Sequence, residues 1–435
     1  MKAIVDCNNF YCSCERLFKP QLEKQPVVVL SNNDGCIISR SDEAKKLGVK
    51  MGVPLFEVRE LLAKNKVAIF SSNYNLYGDL SWRVMETLRF LMGPDKVEVY
   101  SVDEAFIELE NTEDTEKLIT IGASIKELVE QWTGIKVSVG IAPTKTLAKL
   151  ANRLAKKDKA RTNCLLVLND QASIEEALRN TAVEDIWGVG HRYGKKLKEQ
   201  WGIYDAWQLS KINEEVARKQ LGGVVGVRLV RELNGILSKE MQEELVQKKM
   251  IATTRMFGRD VTSLTEICEA IATYTARAAE KLRRQQSIAG AISIFIIAKA
   301  ERVSHTSSGA RKSFHHGTAF SNQMILDIPT CYTDELIKNA VSLVKPIYKP
   351  GAIYKKAGVI LSNIMPAEAV QTNLFVAPST INKEKLMAML DNINFSSRDS
   401  LVRFASSGTN RAWKMKQQYC SAKYTTRWEE FMKIR

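Results

Sequence analysis

Between residues 74 and 92 the apolar positions Leu76, Leu80, Val84, Leu88 and Leu91 recur every three or four residues, which predicts an amphipathic helix. A second helix follows from Leu118, Ile121, Ile125, Leu128, Val129 and Trp132. Short apolar runs at residues 2–5, 97–100, 105–109 and 136–141 read as strands, so the order is strand, helix, two strands, helix, strand. That order predicts a split βαβ, ferredoxin-like unit, interrupted after its first strand by a small module with its own strand at 26–30. The next helix, 144–157, places Lys145, Lys149, Asn152 and Lys156 on one side and Leu147, Leu150, Ala151 and Leu154 on the other, giving one cationic face and one packed face. Residues 166–240 read as mostly helical around Trp187-Gly188-Val189-Gly190. After Lys248 and Lys249 a second α+β unit begins, with strands at 257–261, 288–298, 322–326 and 356–364 and helices at 265–284 and 333–344. Beyond Pro366 the strand signals stop, leaving residues 371–375, a short helix near 383–390 and a basic, aromatic end.

Length and composition narrow the class. A chain of 435 residues with 45% apolar residues can bury several cores, which excludes a peptide hormone, a disulfide scaffold and a disordered tail. The strongest apolar run, 289–298, is far short of a membrane helix, and Asp6 interrupts any signal-peptide core, so the expectation is a cytoplasmic protein without membrane contact. Eight cysteines without C-x-x-C pairs read as reduced thiols. Charge adds a division of labour: residues 1–245 hold 35 basic and 35 acidic side chains, whereas all of the +14 excess lies beyond them. A basic half beside a neutral, carboxylate-bearing half suits a protein that grips a polyanion with one part and does chemistry with the other.

Three carboxylates carry the candidate chemistry. Asp6 ends the first strand, and Asp103 and Glu104 sit between two others, so the split βαβ order brings them to neighbouring strands. Such acids repel unless cations lie between them, and hard divalent ions with oxygen ligands suit metal-assisted phosphoryl transfer; the plainer alternative is ordinary turn acids. With only four histidines, a histidine base has little support, and His305, His315 and His316 lie in Ser/Gly-rich surroundings typical of an exposed loop at 304–317.

Asp6-x-x-x-Phe10-Tyr11, Pro26-Val-Val-Val-Leu-Ser-Asn-Asn-Asp-Gly35, Ser101-Val-Asp-Glu-Ala105 and Gly140-Ile-Ala-Pro-Thr-Lys-Thr-Leu-Ala-Lys149 together resemble the Y-family, lesion-bypass DNA polymerases. The likeness continues through Trp187–Gly190, residues 274–282, Lys356-Ala-Gly-Val359 and Tyr424-Thr-Thr-Arg427, covering nearly the whole chain. It implies an α+β right-hand polymerase: a ferredoxin-like palm (1–14 and 74–165), small fingers (15–73), a helical thumb with a helix-hairpin-helix (166–245), an α+β little finger (246–365) and a C-terminal clamp- and partner-binding tail (366–435). The implied activity is error-prone translesion synthesis in the SOS DNA-damage response, adding dNTPs to a primer 3′ end by two-metal catalysis without proofreading.

Residue by residue, the resemblance implies that Asp6, Asp103, Glu104 and the Cys7 carbonyl hold two magnesium ions (Mg2+). Tyr11 matches the family's sugar-gate position, with Phe10 next to it, and Ser39, Lys45 and Lys156 match positions that hold the triphosphate. Asp42 stands where relatives often carry a tyrosine, and an anion there is a poor phosphate ligand, so it is left outside the expected site. Gly188 and Gly190 would let backbone N–H groups approach a DNA phosphate, with Lys195 and Lys196 adding charge. The little finger, with 17 basic and 8 acidic residues, would lie along the primer-template duplex and position it without reading sequence. Gln371-Thr-Asn-Leu-Phe375 resembles a sliding-clamp peptide in which Gln371 fixes the backbone and Leu374 and Phe375 enter an apolar pocket. A processed UmuD dimer and a RecA filament are implied as partners by the resemblance alone. A nucleotidyl cyclase would share the split sheet and two metals but not the basic second domain. A catalytically idle DNA-binding scaffold would not need all three carboxylates.

Overall fold

The computed structural model describes residues 1–241, 247–299, 317–369, 381–396 and 401–431. In chain order the strands are β1 (Lys2–Cys7), β2 (Val27–Leu30), β3 (Ile37–Arg40), β4 (Ala68–Ser71), β5 (Val97–Val99), β6 (Glu104–Glu108), β7 (Val137–Ala142), β8 (Leu165–Val167), β9 (Ile251–Val261), β10 (Ser287–Ala298), β11 (Ala319–Thr330) and β12 (Tyr354–Pro366).

The palm sheet has the order β5-β6-β1-β7-β8, whose first four strands are the ferredoxin-like arrangement expected from the sequence. β1 lies between β6 and β7, antiparallel to both. The helices Tyr74–Met92 and Thr115–Thr133 pack together, and the helix Lys145–Lys157 packs on β7 and β1. β7 is buried at every position, as a strand covered on both sides must be. Gly140 shows how tight that cover is: a Cβ there would sit 2.3 Å from the Asn152 backbone nitrogen and 2.4 Å from the Ala148 carbonyl oxygen. The helix starts where Thr144 Oγ1 accepts from the Leu147 amide at 3.3 Å.

Two features of this region differ from the expectation. The cationic side of Lys145–Lys157 is not a separate solvent face, because Lys145 and Asn152 are buried and Asn152 Nδ2 donates to the Ser138 carbonyl at 2.8 Å. A fifth strand, β8, follows the helix and pairs parallel to β7 at Leu165, Leu166 and Val167. Its run is too short to announce itself by periodicity, and the crossover helix Lys145–Lys157 positions it.

The fingers form a small sheet, β3-β2-β4, over the helices Asp42–Lys46 and Leu55–Lys64, with Val28, Leu30, Ile37, Val49 and Leu62 in their core. The thumb is helical, with Ile186, Leu197, Leu209, Leu229 and Leu233 in a core that extends to Leu147 and Leu150 on the palm. The little finger is a four-stranded antiparallel sheet, β11-β10-β12-β9, with the helices Leu264–Arg284 and Thr333–Ser342 packed together beside it.

Residues 401–431 do not extend away from the body as a tail. Trp413 is buried among Phe257 and Tyr274 of the little finger. From there the chain crosses to the fingers and palm: the Lys416 amide donates to Asn33 Oδ1 (2.9 Å), the Gln418 amide to Asp34 Oδ2 (2.8 Å), and Ser71 and Tyr419 bond to each other. Tyr424 finally stacks on Phe18, 4.5 Å between ring centroids. These contacts come from scattered polar and aromatic residues, which is why no periodic signal announces them.

Candidate active site

The register of the palm sheet assembles the acids. Asp6 and Glu104 are Cα partners across β1 and β6, so their side chains project from the same face. Asp103 sits in the preceding turn; its carbonyl accepts from the Cys7 amide at 2.8 Å and its carboxylate from Ser101 Oγ at 2.6 Å. Lys149 and Lys156, two helical turns apart, reach the same place. Lys149 Nζ donates to both Glu104 oxygens, at 2.8 and 3.1 Å, and Lys156 pairs with Asp6. Burial pushes the Asp6 carboxyl up to about 7 against the pull of Lys156, and the Glu104 and Asp103 charges push in the same direction as burial. The Cys7 thiol is buried and held above its usual range chiefly by burial.

Asp6, Glu104, Lys149 and Lys156 line a cavity of about 510 Å³ together with Asn152, Arg153, Asp185 and Trp187. Among the described residues, no three His, Cys, Asp or Glu groups converge closely enough to form a ready-made metal cage. The reason is visible in the ion pairs: Asp6 and Glu104 are each turned to a lysine. As a donor set, however, three carboxylates with no nitrogen or sulfur ligand suit a hard divalent cation.

Tyr11 lies on the helix Phe10–Leu17, which leaves β1 through Asn9 in a left-handed conformation (φ 50°). Its ring stacks on Tyr77 at 4.5 Å and 20° and meets Tyr74 edge-on at 6.2 Å. The hydroxyl is pushed up to about 12, first by burial and then by the neighbouring Tyr74 and Asp103. Phe10 is a core residue, 3% exposed. Its ring serves the palm packing.

On the fingers side, Ser39 is also buried, with its hydroxyl 3.3 Å from Cys12 Sγ and 3.5 Å from the Asn9 carbonyl. Lys45 Nζ donates to Asn9 Oδ1 (2.5 Å) and Asp42 Oδ1 (2.9 Å). Asp42 proves to be a hub rather than a bystander: it also accepts from Asn9 Nδ2 at 3.1 Å and pairs with Lys159. Burial opposes its charge, but these donors overcome burial and hold the carboxyl well below the usual range. Asn9, Asp42 and Lys159 thus gather round Lys45, and Lys149 lines the cavity; sequence reading left Asn9, Lys149 and Lys159 unassigned and set Asp42 aside as a phosphate ligand, a role its lysine partners do not give it. The i, i+7 spacing of Lys149 and Lys156 was the available signal for one; the Lys159–Asp42 pair joins residues far apart in sequence and had none.

At the thumb, Gly188 adopts φ 101°, a conformation that favours glycine, and Gly190 precedes the helix His191–Trp201. Lys195 is exposed, 3.8 Å from Glu199, whereas Lys196 is tied to Gln220 Oε1 at 2.7 Å. Trp187 connects this turn to the acids: its indole nitrogen donates to the Tyr100 hydroxyl (3.2 Å), and the Lys149 ammonium lies 5.2 Å from its ring centroid. Gln371, Leu374, Phe375 and the three loop histidines lie outside the described residues.

Residues 5–153 match the impB/mucB/samB family and residues 248–374 its C-terminal domain, while 384–434 match a domain of unknown function. The UmuC protein of Salmonella typhimurium is 40% identical over 437 residues, covering 100% of both chains. The chain belongs to this family. The MucB protein of Escherichia coli is 37% identical over 98% of each chain, and DNA polymerase IV of Saccharolobus solfataricus is 27% identical over 74% of this chain and 89% of its own. Among solved structures, a Y-family DNA polymerase chimera built on Dbh matches 84% of this chain and 100% of its own at 22% identity and a TM-score of 0.67. The family member described here is a DNA-directed DNA polymerase for translesion synthesis, with the right-hand fold. Among its described residues no helix is long and apolar enough to cross a membrane.

Proposed function

We propose that this polymerase works in the SOS DNA-damage response, extending a primer 3′ end with dNTPs through divalent metal ions held by Asp6, Asp103 and Glu104. The observation that carries the reading is the direct cross-strand pairing of Asp6 with Glu104, with Asp103 at the adjoining turn. Two bound magnesium ions, one of them also touching the Cys7 carbonyl, would supply charge neutralisation at the α-phosphate and acidify the attacking primer hydroxyl. The chain's own groups do the rest. Lys156 and Lys149, which now balance Asp6 and Glu104, are long and flexible enough to turn to a triphosphate once other cations neutralise the acids. Lys45 enters from the fingers with Lys159 beside it, both held by Asp42, so three or four ammonium groups border the place where pyrophosphate leaves. Tyr11, five residues beyond Asp6, excludes a 2′-hydroxyl by the position of its ring.

The substrate would be primer-template DNA, gripped by the little finger and by the Gly188–Gly190 turn with Lys195 outermost. No proofreading step belongs to the reading. Gln371, Leu374 and Phe375 would bind the sliding clamp, and a processed UmuD dimer and a RecA filament would be its activating partners. Primer extension past an abasic site, with and without magnesium and with and without those partners, is the test: metal-independent extension would refute the metal assignment. Removing residues 371–375 should spare extension of a short primer and abolish stimulation by the clamp; equal stimulation in both proteins would refute the clamp site.

A further inference from the structure

The C-terminal segment reaches the aromatic site by two separate routes. The first runs through a buried carboxylate. Glu15 is completely buried, and its Oε1 accepts from the Tyr77 hydroxyl at 2.6 Å and from Ser421 Oγ at 2.9 Å. Tyr77 is the ring on which Tyr11 stacks. The second route is through the helix that carries Tyr77. Asn73 caps the helix Tyr74–Met92 by accepting from the Leu76 amide, while its Nδ2 reaches the Ser421 carbonyl (3.2 Å), Ser421 Oγ (3.0 Å) and the Ala422 carbonyl (3.1 Å). Two of the aromatic partners of Tyr11, Tyr74 and Tyr77, lie in the first turns of that helix.

The geometry is costly unless it has a use. The second carboxylate oxygen of Glu15 is buried without a hydrogen-bond partner, and burial, only partly offset by the Tyr77 and Ser421 hydroxyls, holds the carboxyl above its ordinary range. A hydroxyl bound to a fixed carboxylate cannot slide along the ring axis, so Tyr77 is held in place and any ring stacked on it inherits that position. Steric exclusion of one oxygen atom works only if the excluding ring cannot retreat by an ångström or so.

We propose that the C-terminal segment, which matches a domain of unknown function, carries positioning residues for sugar selection: Ser421 holds Glu15, Glu15 holds the Tyr77 hydroxyl, and Tyr77 backs Tyr11. This rests on the reading of Tyr11 as the sugar gate. The segment is therefore part of the active site's architecture, pinned at Trp413 to the little finger and at Ser421 to the palm.

The test is the ratio of kcat/KM for dCTP to that for CTP opposite a template G, measured in the full-length parent, Tyr77→Phe, Ser421→Ala, Ser421→Thr and Tyr11→Ala proteins, with a thermal melt of each. Tyr77→Phe keeps the ring but frees it from Glu15, and the ratio should fall about tenfold or more, the low end of what one hydrogen bond to a charged group is worth. Ser421→Ala should lower the ratio by a smaller factor and Ser421→Thr should restore it. If Tyr11→Ala collapses the ratio while Tyr77→Phe and Ser421→Ala stay within about twofold of the parent, the gate stands and the brace is refuted. A Ser421→Ala protein that melts earlier and uses both nucleotides equally less well would also refute it, because a merely structural role leaves the ratio alone. An unchanged ratio in Tyr11→Ala would remove the gate and the brace together.

Discussion

The palm sheet and the little-finger sheet are both antiparallel at their centres and both rest on two helices, but they are finished differently. In the palm a further helix, Lys145–Lys157, covers the second face, and β1 and β7 are buried along almost their whole length. What remains accessible is the strand ends, where Asp6 and Glu104 meet lysines delivered by that helix and Asp103 holds the adjoining turn. In the little finger no helix among the described residues covers the second face: Ser293, Phe295 and Ile297 alternate with buried neighbours along β10, and Lys356 lies 5.7 Å from the Phe295 ring. The same sheet architecture thus serves two purposes. In the proposed reading, covering both faces holds the charged groups at the strand ends, as a reaction requires, whereas the open face would offer a broad surface to a long, sequence-independent partner.

The largest effect that would sharpen this contrast is Asp103→Ala. Nucleotide addition should fall by at least about a thousandfold, as expected for loss of a metal-binding charge, while DNA affinity stays within about twofold because the basic surface is elsewhere. Extension at more than a few per cent of the parent rate would place the reaction elsewhere. Next comes Tyr11→Ala, which should admit ribonucleotides. A drop of several hundredfold in the dCTP/CTP ratio of kcat/KM corresponds to about 3–4 kcal/mol, and Tyr11→Phe should keep most of the selectivity because the exclusion is steric.

A pair of glycine substitutions compares the two sheets directly. Gly140→Ala presses a methyl against the backbone of the covering helix, which cannot move aside, and should cost about 1–3 kcal/mol in urea denaturation. Gly358→Ala meets the Phe295 ring at 2.6 Å and the Thr254 methyl at 2.7 Å on the open side, where side chains can shift, so its cost should be smaller. A larger loss for Gly358→Ala would break the distinction between a covered and an open face. The smallest effect is a pH dependence. Because the Glu15 carboxyl is raised above about 4.5 in the folded protein, the folded state binds its proton more tightly than the unfolded state does. Its favourable contribution is complete below that value and is lost as pH rises through the folded one. The parent should therefore lose stability relative to Glu15→Gln as pH rises from about 4.5, read as the difference in their urea midpoints, and a constant difference would show that Glu15 keeps its ordinary titration.

Elements with long, regular periodicity were legible in advance. The helix at 74–92 has the bounds that its leucine spacing predicts, and the helices expected at 144–157 and 265–284 begin and end within a residue of Lys145–Lys157 and Leu264–Arg284. The little-finger strands were read too short: 257–261 is the end of β9, and 322–326 the middle of β11. Polar residues such as Thr254, Arg255, Ser321 and Asp327 interrupt the apolar pattern in their outer parts, and only pairing with β12 and β10 makes these parts strands. Within the site, the three acids and Tyr11 were visible as residue types at suggestive places. Ser39 and Phe10 were visible too, yet both are buried, because a motif records which residue stands at a position and not which way its side chain turns.

The order of apolar and polar residues therefore settled the helices, the split βαβ unit and the segregation of charge, since each depends on neighbours within a few positions along the chain. Tertiary structure alone decided the partners of charges and rings: Lys159 on Asp42, Lys149 on Glu104, Glu15 between Tyr77 and Ser421, and the return of residues 401–431 across the body. The physical reason is range. A helix or strand is selected by hydrogen bonds and burial repeating at fixed spacing, whereas an ion pair, hydrogen bond or stacked ring between residues dozens to hundreds of positions apart leaves no periodic trace and forms only after the sheets and helices have brought its two halves together.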